Sequence, residues 1–130
     1  GRFGIWEERP AAQVPDLLVV DPSGTPLVVI DAKYKWLSSM DAMSMSDQYQ
    51  QFAYAAIVDA PALFCYGGGS LAAGHLKGVE ARTANTDARH ILGCAGVAFP
   101  QPGEVVDSSW VDRAARQLER GLAVVQPATP

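Results

Sequence analysis

Residues 15–33 read PDLLVVDPSGTPLVVIDAK, in which two aliphatic runs of strand length flank a turn sequence. The runs at 17–20 and 27–30 are almost continuously apolar, which is typical of strands that are covered on both faces. Between them, Asp21-Pro-Ser-Gly24 has the residues that a type I turn favours at its first, second and fourth positions. The stretch therefore predicts a β-hairpin.

The turn also predicts a register. A loop of residues 22–25 places Asp21 opposite Pro26 and, at the far end of the hairpin, Asp16 opposite Asp31, with their Cβ atoms about 4.5–5.5 Å apart. A two-residue loop would break this pairing. Facing carboxylates repel unless something neutralises them, and a divalent cation is the natural candidate. Ligation by oxygen alone suits Mg²⁺ or Mn²⁺.

A lysine completes this group. Lys33 follows Asp31 by two residues, so both side chains point to the same face of the strand. A lysine beside a metal–carboxylate pair can hold an attacking water or stabilise charge that develops on a phosphoryl group. The alternative is a pair of solvated carboxylates at a strand end, with a solvated lysine.

The segment after the hairpin predicts an amphipathic helix. Ser44-Met-Ser-Asp47 fits a capping box at its start, and Asp59-Ala-Pro61 ends it because proline cannot continue a helix. We expect Gln50 and Tyr54, four residues apart, to lean together over the strand ends. The apolar residues that recur at helical spacing, and that we expect to face the core, are Tyr49, Phe52, Ala53, Ala56 and Ile57.

These motifs resemble a known family. Pro15-Asp16 followed by Asp31-Ala-Lys33 is similar to the signature of PD-(D/E)XK nucleases, and Gln50-x-x-x-Tyr54 is similar to the helix motif of their RecB-like branch. The amino-acid sequence around these motifs most resembles McrC, the nuclease subunit of 5-methylcytosine-specific restriction systems. The close similarity covers about forty residues, and its specificity lies in the order and spacing of the motifs together.

The resemblance implies a Mg²⁺- or Mn²⁺-dependent DNA endonuclease. Asp16, Asp31 and the Ala32 carbonyl would be metal ligands, Lys33 would be the catalytic lysine, and Gln50 and Tyr54 would shape the site. The full protein would act with a nucleotide-hydrolysing motor subunit of McrB type. No P-loop is present in the sequence, so the motor is not encoded here.

One family feature is missing. The family usually carries an acidic residue on a helix before the first core strand, whereas Glu7 and Glu8 lie in a stretch, residues 2–9, that reads as an opening strand. This departure and the Gly1-Arg-Phe start favour a fragment of a longer chain. Catalysis is therefore expected of the intact protein rather than of this stretch alone.

The net charge is −4, which is the wrong sign for a protein that binds DNA through its overall charge. Either basic residues cluster locally or another domain or subunit holds the DNA, and we favour the second. A second hypothesis is a catalytically degenerate nuclease fold that binds DNA or a partner protein. The missing helix acid and the acidic balance favour this alternative, whereas the intact Asp16, Asp31 and Lys33 argue against it.

The remaining sequence completes an α/β fold with a restriction-endonuclease-like core, a central mixed β-sheet flanked by helices. Strands are predicted at 62–66, 76–83 and 91–99, and a helix after a second capping box at Ser109-Trp-Val-Asp112. Residues 1–125 form one nuclease-like domain and 126–130 a frayed tail. We expect Cys65 and Cys94 to be buried free thiols of a cytoplasmic protein, and no segment is apolar enough for a membrane span.

Overall fold

A computed structural model describes residues 14–67, 71–82, 89–98, 100 and 102–126, with the backbone alone for 76–82. The opening strand predicted at 2–9, including Glu7 and Glu8, lies outside these residues, as does most of the predicted tail. The elements in chain order are β1 (Leu17–Val20), β2 (Pro26–Trp36), a 3-10 turn (Met40–Ala42), α1 (Met45–Val58), β3 (Ala62–Gly67), β4 (Gly74–Arg82), β5 (Arg89–Val97) and α2 (Ser108–Val125).

The five strands form one mixed sheet in the order β1-β2-β3-β5-β4. The central pairs β2–β3 and β3–β5 are parallel, and the outer pairs β1–β2 and β4–β5 are antiparallel. Successive side chains of β3 alternate between two cores: Phe64 and Tyr66 pack with Tyr54 of α1, whereas Leu63 and Cys65 pack with Val125 of α2. The predicted α/β fold with a mixed sheet between helices is confirmed, and it is consistent with a restriction-endonuclease-like core.

The hairpin register is confirmed over most of its length. Leu17 pairs with Ile30, and the next two pairs keep the same register, so continuing it by one residue sets Asp16 beside Asp31. Near the turn the prediction is wrong, because Val20 rather than Asp21 lies opposite Pro26. The Asp21 carboxylate accepts the backbone N–H groups of Ser23 and Thr25 and so holds the loop. A bulge between Val19 and Val20 accommodates the change of register.

The burial of the two hairpin strands differs from the prediction. Residues 28–30 of β2 are buried as expected, but Leu17, Leu18 and Val20 of β1 are exposed. β1 is an edge strand of the sheet, so the layer of packed helices does not extend over both of its faces.

Helix α1 begins and ends where the sequence predicted. The Ser44 hydroxyl accepts the Asp47 N–H at 3.1 Å, and Asp59 closes the helix in the left-handed region with φ of 65°. The predicted buried stripe is wrong at two positions, because Tyr49 is 66% exposed and Ile57 is 82% exposed, whereas Phe52 packs against the core as predicted. The residues that α1 buries are instead Asp47, Gln51, Tyr54 and Ala55.

The polar residues on this buried face find their partners in the sheet. Gln51 Nε2 donates to the carbonyls of Ala62 and Gly93, at 3.1 and 2.7 Å, and the Asp47 carboxylate accepts the Tyr66 hydroxyl. These hydrogen bonds offset much of the cost of burying the polar groups, although the buried Oε1 of Gln51 has no hydrogen-bond partner among the described residues. Apolar spacing could not reveal them, because it records hydrophobicity only.

Helix α2 is capped by Asp107 rather than by the predicted Ser109. The Asp107 carboxylate accepts the Trp110 N–H at 3.0 Å, so the helix begins at Ser108, two residues earlier than a cap at Ser109 would give. None of the helices in the described part of the chain is long and apolar enough to cross a bilayer.

The two cysteines are buried free thiols, as predicted. Cys94 pairs in register with Phe64 and belongs to the core under α1, whereas Cys65 belongs to the core under α2. The two thiols thus lie on opposite faces of the sheet. Burial raises the pKa of each to about 12, which makes both poor nucleophiles.

Candidate functional site

Two aspartates meet where the hairpin ends. The backbone N–H of Asp16 donates to Oδ1 of Asp31 at 3.1 Å, and the backbone N–H of Ala32 donates to Oδ2 of Asp16 at 2.8 Å. Each carboxylate is therefore held by a backbone group of the other strand. Asp31 is buried and Asp16 is exposed, so the pair is open to solvent on the Asp16 side.

The backbone adds a third oxygen at this place. In a strand, the N–H and C=O of one residue point toward the same neighbouring strand. Because the Ala32 N–H reaches Asp16, the Ala32 carbonyl also faces the β1 side, as its predicted role as a metal ligand requires. No cluster of three or more His, Cys, Asp or Glu side chains suited to a metal occurs among the described residues. Two carboxylates and a carbonyl nevertheless fit Mg²⁺, which keeps several waters and uses few protein ligands.

Lys33 lies against this pair. Its Nζ is 2.9 Å from Oδ2 of Asp31 and donates to Oε1 of Gln50, and it lies 4.7 Å from the centroid of the Phe64 ring. The side chain is only 15% exposed. An acceptor, a carboxylate and an aromatic face thus fix the position of the ammonium group.

Gln50 and Tyr54 extend the network, as the sequence predicted. Gln50 Nε2 donates to the Tyr54 hydroxyl at 3.0 Å, and the Tyr54 ring meets Phe64 edge to face. Burial, together with the charges of Asp31 and Asp16, raises the pKa of Tyr54 to about 12. The Tyr54 hydroxyl therefore stays protonated at physiological pH.

The structure brings all five predicted side chains into one connected group. It adds residues that the sequence analysis did not assign to the site: Asp47, Lys35 and Tyr66. The Asp47 carboxylate is 2.9 Å from Lys35 Nζ and 4.0 Å from Lys33 Nζ. It also accepts the Tyr66 hydroxyl at 2.9 Å.

A signal for these residues existed in the sequence. Lys35 continues the alternation of Asp31 and Lys33 in the sequence, which in a regular strand predicts the same face. Asp47 lies four residues before Gln51 and seven before Tyr54, on one side of the helix. The capping role of Asp47 concealed the second role of its carboxylate.

Burial raises the pKa of Tyr66 strongly, and its hydrogen bond to Asp47 adds to that shift.

The fold and this site define a class: an α/β domain with a restriction-endonuclease-like core and an Asp–Asp–Lys group at its strand ends. Residues 7–65 match the sequence family described as McrBC 5-methylcytosine restriction system component. The match covers a little under half of the chain, from before β1 to within β3, and contains all six predicted site residues. No curated protein and no solved structure matches the chain.

The match makes this stretch similar to a component of a modification-dependent restriction system. It includes residues 7–13, which precede the described part of the chain. The similarity therefore concerns the hairpin, α1 and most of β3, which are the elements that build the site.

Proposed function

We propose that this chain carries the cleavage site of a McrC-type nuclease subunit, a metal-dependent DNA endonuclease of the PD-(D/E)XK kind. The observation that supports the proposal best is the position of Lys33, 2.9 Å from Asp31 and next to the Asp16–Asp31 pair. A lysine so close to paired carboxylates at an open strand end combines a cation site with a group that can stabilise anionic phosphate.

Asp16, Asp31 and the Ala32 carbonyl would hold Mg²⁺ or Mn²⁺. When bound there, the ion supplies polarisation of the phosphodiester and lowers the pKa of the attacking water. The carboxylate of Asp31 is oriented for this task because the Asp16 N–H holds one of its oxygens.

The chain's own residues perform the remaining work. Lys33 offers a fixed ammonium group to the charge that develops on the phosphoryl oxygens. Gln50 accepts from Lys33 and donates to Tyr54, so it holds the lysine in one orientation. Gln50 and Tyr54 are thus positioning residues rather than groups that react with the substrate.

DNA is the proposed substrate, but the local charge is unfavourable for holding it. The site contains three carboxylates, Asp16, Asp31 and Asp47, against two ammonium groups, Lys33 and Lys35. Most of the affinity for DNA is therefore expected from another domain or subunit, with a nucleotide-hydrolysing motor of McrB type as the proposed partner.

The test is cleavage by the full protein with its motor subunit, on methylated and unmethylated plasmid DNA, with and without Mg²⁺ or Mn²⁺. We expect cation-dependent cleavage by the parent and none by Asp31→Asn or Lys33→Ala. Arg116→Ala, which removes an exposed charge from α2 on the opposite side of the sheet, is the matched control and should cleave normally. Cleavage by either site variant at the parental rate contradicts the assigned roles.

A second candidate is a degenerate nuclease fold that only binds DNA or a protein. It is favoured by the Lys33–Asp31 ion pair, in which the lysine rather than a metal ion neutralises one of the two paired carboxylates. A parent protein that gains no stability from Mg²⁺ or Mn²⁺ would make this candidate the preferred one.

A further inference from the structure

Lys35 is the second basic residue on the site face of β2. It follows Lys33 by two residues, and in a regular strand this separates the two Cα atoms by about 6.6 Å. The Lys35 side chain is 52% exposed, whereas that of Lys33 is 15% exposed. Lys35 thus presents its ammonium group to solvent beside the proposed cleavage site.

The ammonium group of Lys35 is held by a buried carboxylate. Its Nζ is 2.9 Å from Oδ2 of Asp47, whose side chain is only 9% exposed. The same oxygen accepts the hydroxyl of the fully buried Tyr66 at 2.9 Å. A carboxylate withdrawn from water is costly unless it is paired, so Asp47 and Lys35 hold one another.

The contact with Asp47 leaves part of the Lys35 ammonium group available to a further ligand. An ammonium group has three donors, and the contact with Asp47 occupies one side of it. Lys35 lies on the same side of the sheet as Lys33, because the Asp47 carboxylate is within 4.0 Å of both ammonium groups. Lys33 and Lys35 are also two of only three lysines in the chain.

We propose that Lys35 binds the backbone phosphate of DNA that neighbours the scissile one, and that Asp47 and Tyr66 hold its ammonium group in position. The proposal rests on the proposed nuclease function, since it places the scissile phosphate at Asp31 and Lys33. The spacing of the two lysines is comparable to that of successive phosphates on one strand of DNA. Lys35 is the phosphate ligand and Asp47 its positioning residue.

The test measures how tightly the full protein binds a short fluorescent DNA duplex at several salt concentrations. Divalent cations are left out so that no cleavage competes with binding. Lys35→Gln is the test variant because the glutamine amide can still donate to Asp47. Loss of one phosphate contact should make the slope of log affinity against log salt shallower by about 0.9. Over a fourfold rise in salt, the parent should therefore lose about 3.5-fold more affinity than the variant does.

Three further variants make the result specific. Lys35→Arg should restore the parental slope, and Arg116→Gln, with the same loss of charge on α2, should keep it. Asp47→Asn should move the slope toward that of Lys35→Gln, because the contact with the Asp47 carboxylate is lost. If Asp47 acted only through its charge, Asp47→Asn would bind more tightly with the parental slope, and this outcome overturns the positioning role.

Equal slopes for the parent and Lys35→Gln overturn the phosphate contact. If Lys35→Gln does not fold, as circular dichroism and thermal melting will show, the double variant Asp47→Asn/Lys35→Gln removes both charges together and takes its place. Cleavage is measured separately with Mg²⁺ and Mn²⁺. A parent that binds DNA but never cleaves contradicts the proposed function, while the salt slopes still decide the role of Lys35.

Discussion

The backbone N–H of Asp16 donates to the carboxylate of Asp31 at 3.1 Å, which joins the two acidic strands through a backbone–side-chain hydrogen bond. The reverse contact, from the Ala32 N–H to Asp16 at 2.8 Å, makes the link reciprocal. Two carboxylates are thereby kept side by side. Their repulsion is relieved in part by Lys33, whose ammonium group lies 2.9 Å from the Asp31 carboxylate.

This arrangement predicts stabilisation by metal. Mg²⁺ or Mn²⁺ should raise the free energy of unfolding by about 1.4 kcal/mol at about ten times Kd. Asp16→Asn should raise stability without metal, because it removes repulsion while its amide oxygen still accepts the Ala32 N–H, and it should reduce the metal response. Thermal melting with and without Mn²⁺ measures both effects. Asp41→Asn, an exposed carboxylate on the 3-10 turn, is the control; equal metal shifts in the parent and Asp16→Asn would place the cation elsewhere.

Replacement of Asp31 should affect stability as well as cleavage. Asp31 is 6% exposed and pairs with Lys33. Asp31→Ala leaves the Asp16 N–H without its acceptor and Lys33 without its nearest carboxylate, so we expect a loss of about 1–3 kcal/mol. Asp31→Asn should lose less, because it keeps an acceptor for Asp16. Urea denaturation separates the two variants, and equal stability of both would contradict this account.

Gln51 should matter for stability because it is fully buried and holds α1 against two strands. Gln51→Ala removes the donors to the carbonyls of Ala62 and Gly93 and leaves a cavity, at a cost of about 2–4 kcal/mol. Gln48→Ala on the same helix breaks a bond to the Met43 carbonyl at a half-buried position, so about 1 kcal/mol is expected. Denaturant midpoints test the ranking, and a Gln51→Ala midpoint at or above that of Gln48→Ala would refute it.

The raised pKa of Tyr54 predicts a loss of stability at alkaline pH. The phenol ionises near 10 in the unfolded chain and at about 12 in the fold, because burial and the charges of Asp31 and Asp16 disfavour the phenolate. Its contribution is fully present below pH 10 and is lost as the pH rises toward 12. Tyr54→Phe should therefore show a shallower fall of unfolding free energy with pH in metal-free buffer. Parallel curves for parent and variant would show that Tyr54 titrates alike in both states.

Gly121 permits the close approach of α2 to the sheet. A Cβ at this position would lie 2.8 Å from Cβ of Ala95 and 3.0 Å from Cδ2 of Leu63. Gly121→Ala should destabilise the protein by about 1–3 kcal/mol through overpacking, which outweighs the gain of about 1 kcal/mol in helix propensity. At the exposed Ala115 of the same helix, Ala115→Gly should cost only the propensity term. Thermal melts compare the two, and a Gly121→Ala protein more stable than the parent would contradict the predicted clash.

The local elements of the site could be predicted from the sequence because their signals are local. Adjacent apolar runs and the Asp21–Gly24 turn predicted the hairpin, and its register predicted the meeting of Asp16 and Asp31. The spacing of Gln50 and Tyr54 predicted their hydrogen bond. Even so, the residue opposite Pro26 is Val20 rather than Asp21, although the predicted turn is present and the Gly24 N–H donates to the Asp21 carbonyl at 2.9 Å. A pattern of residue types does not specify which hydrogen bonds close a loop.

Only the tertiary structure decided which face of α1 is buried and what that face does. The sequence by itself determined that a helix lies between the caps Ser44 and Asp59, but its apolar spacing placed Tyr49 and Ile57 on the buried face, and both are exposed. Asp47 and Gln51 face the sheet because their partners, Tyr66, Lys35 and the carbonyls of β3 and β5, lie on strands separated from them along the chain. Hydrophobic periodicity measures transfer from water, whereas a buried polar face is stabilised by hydrogen bonds and ion pairs that exist only once the strands have assembled.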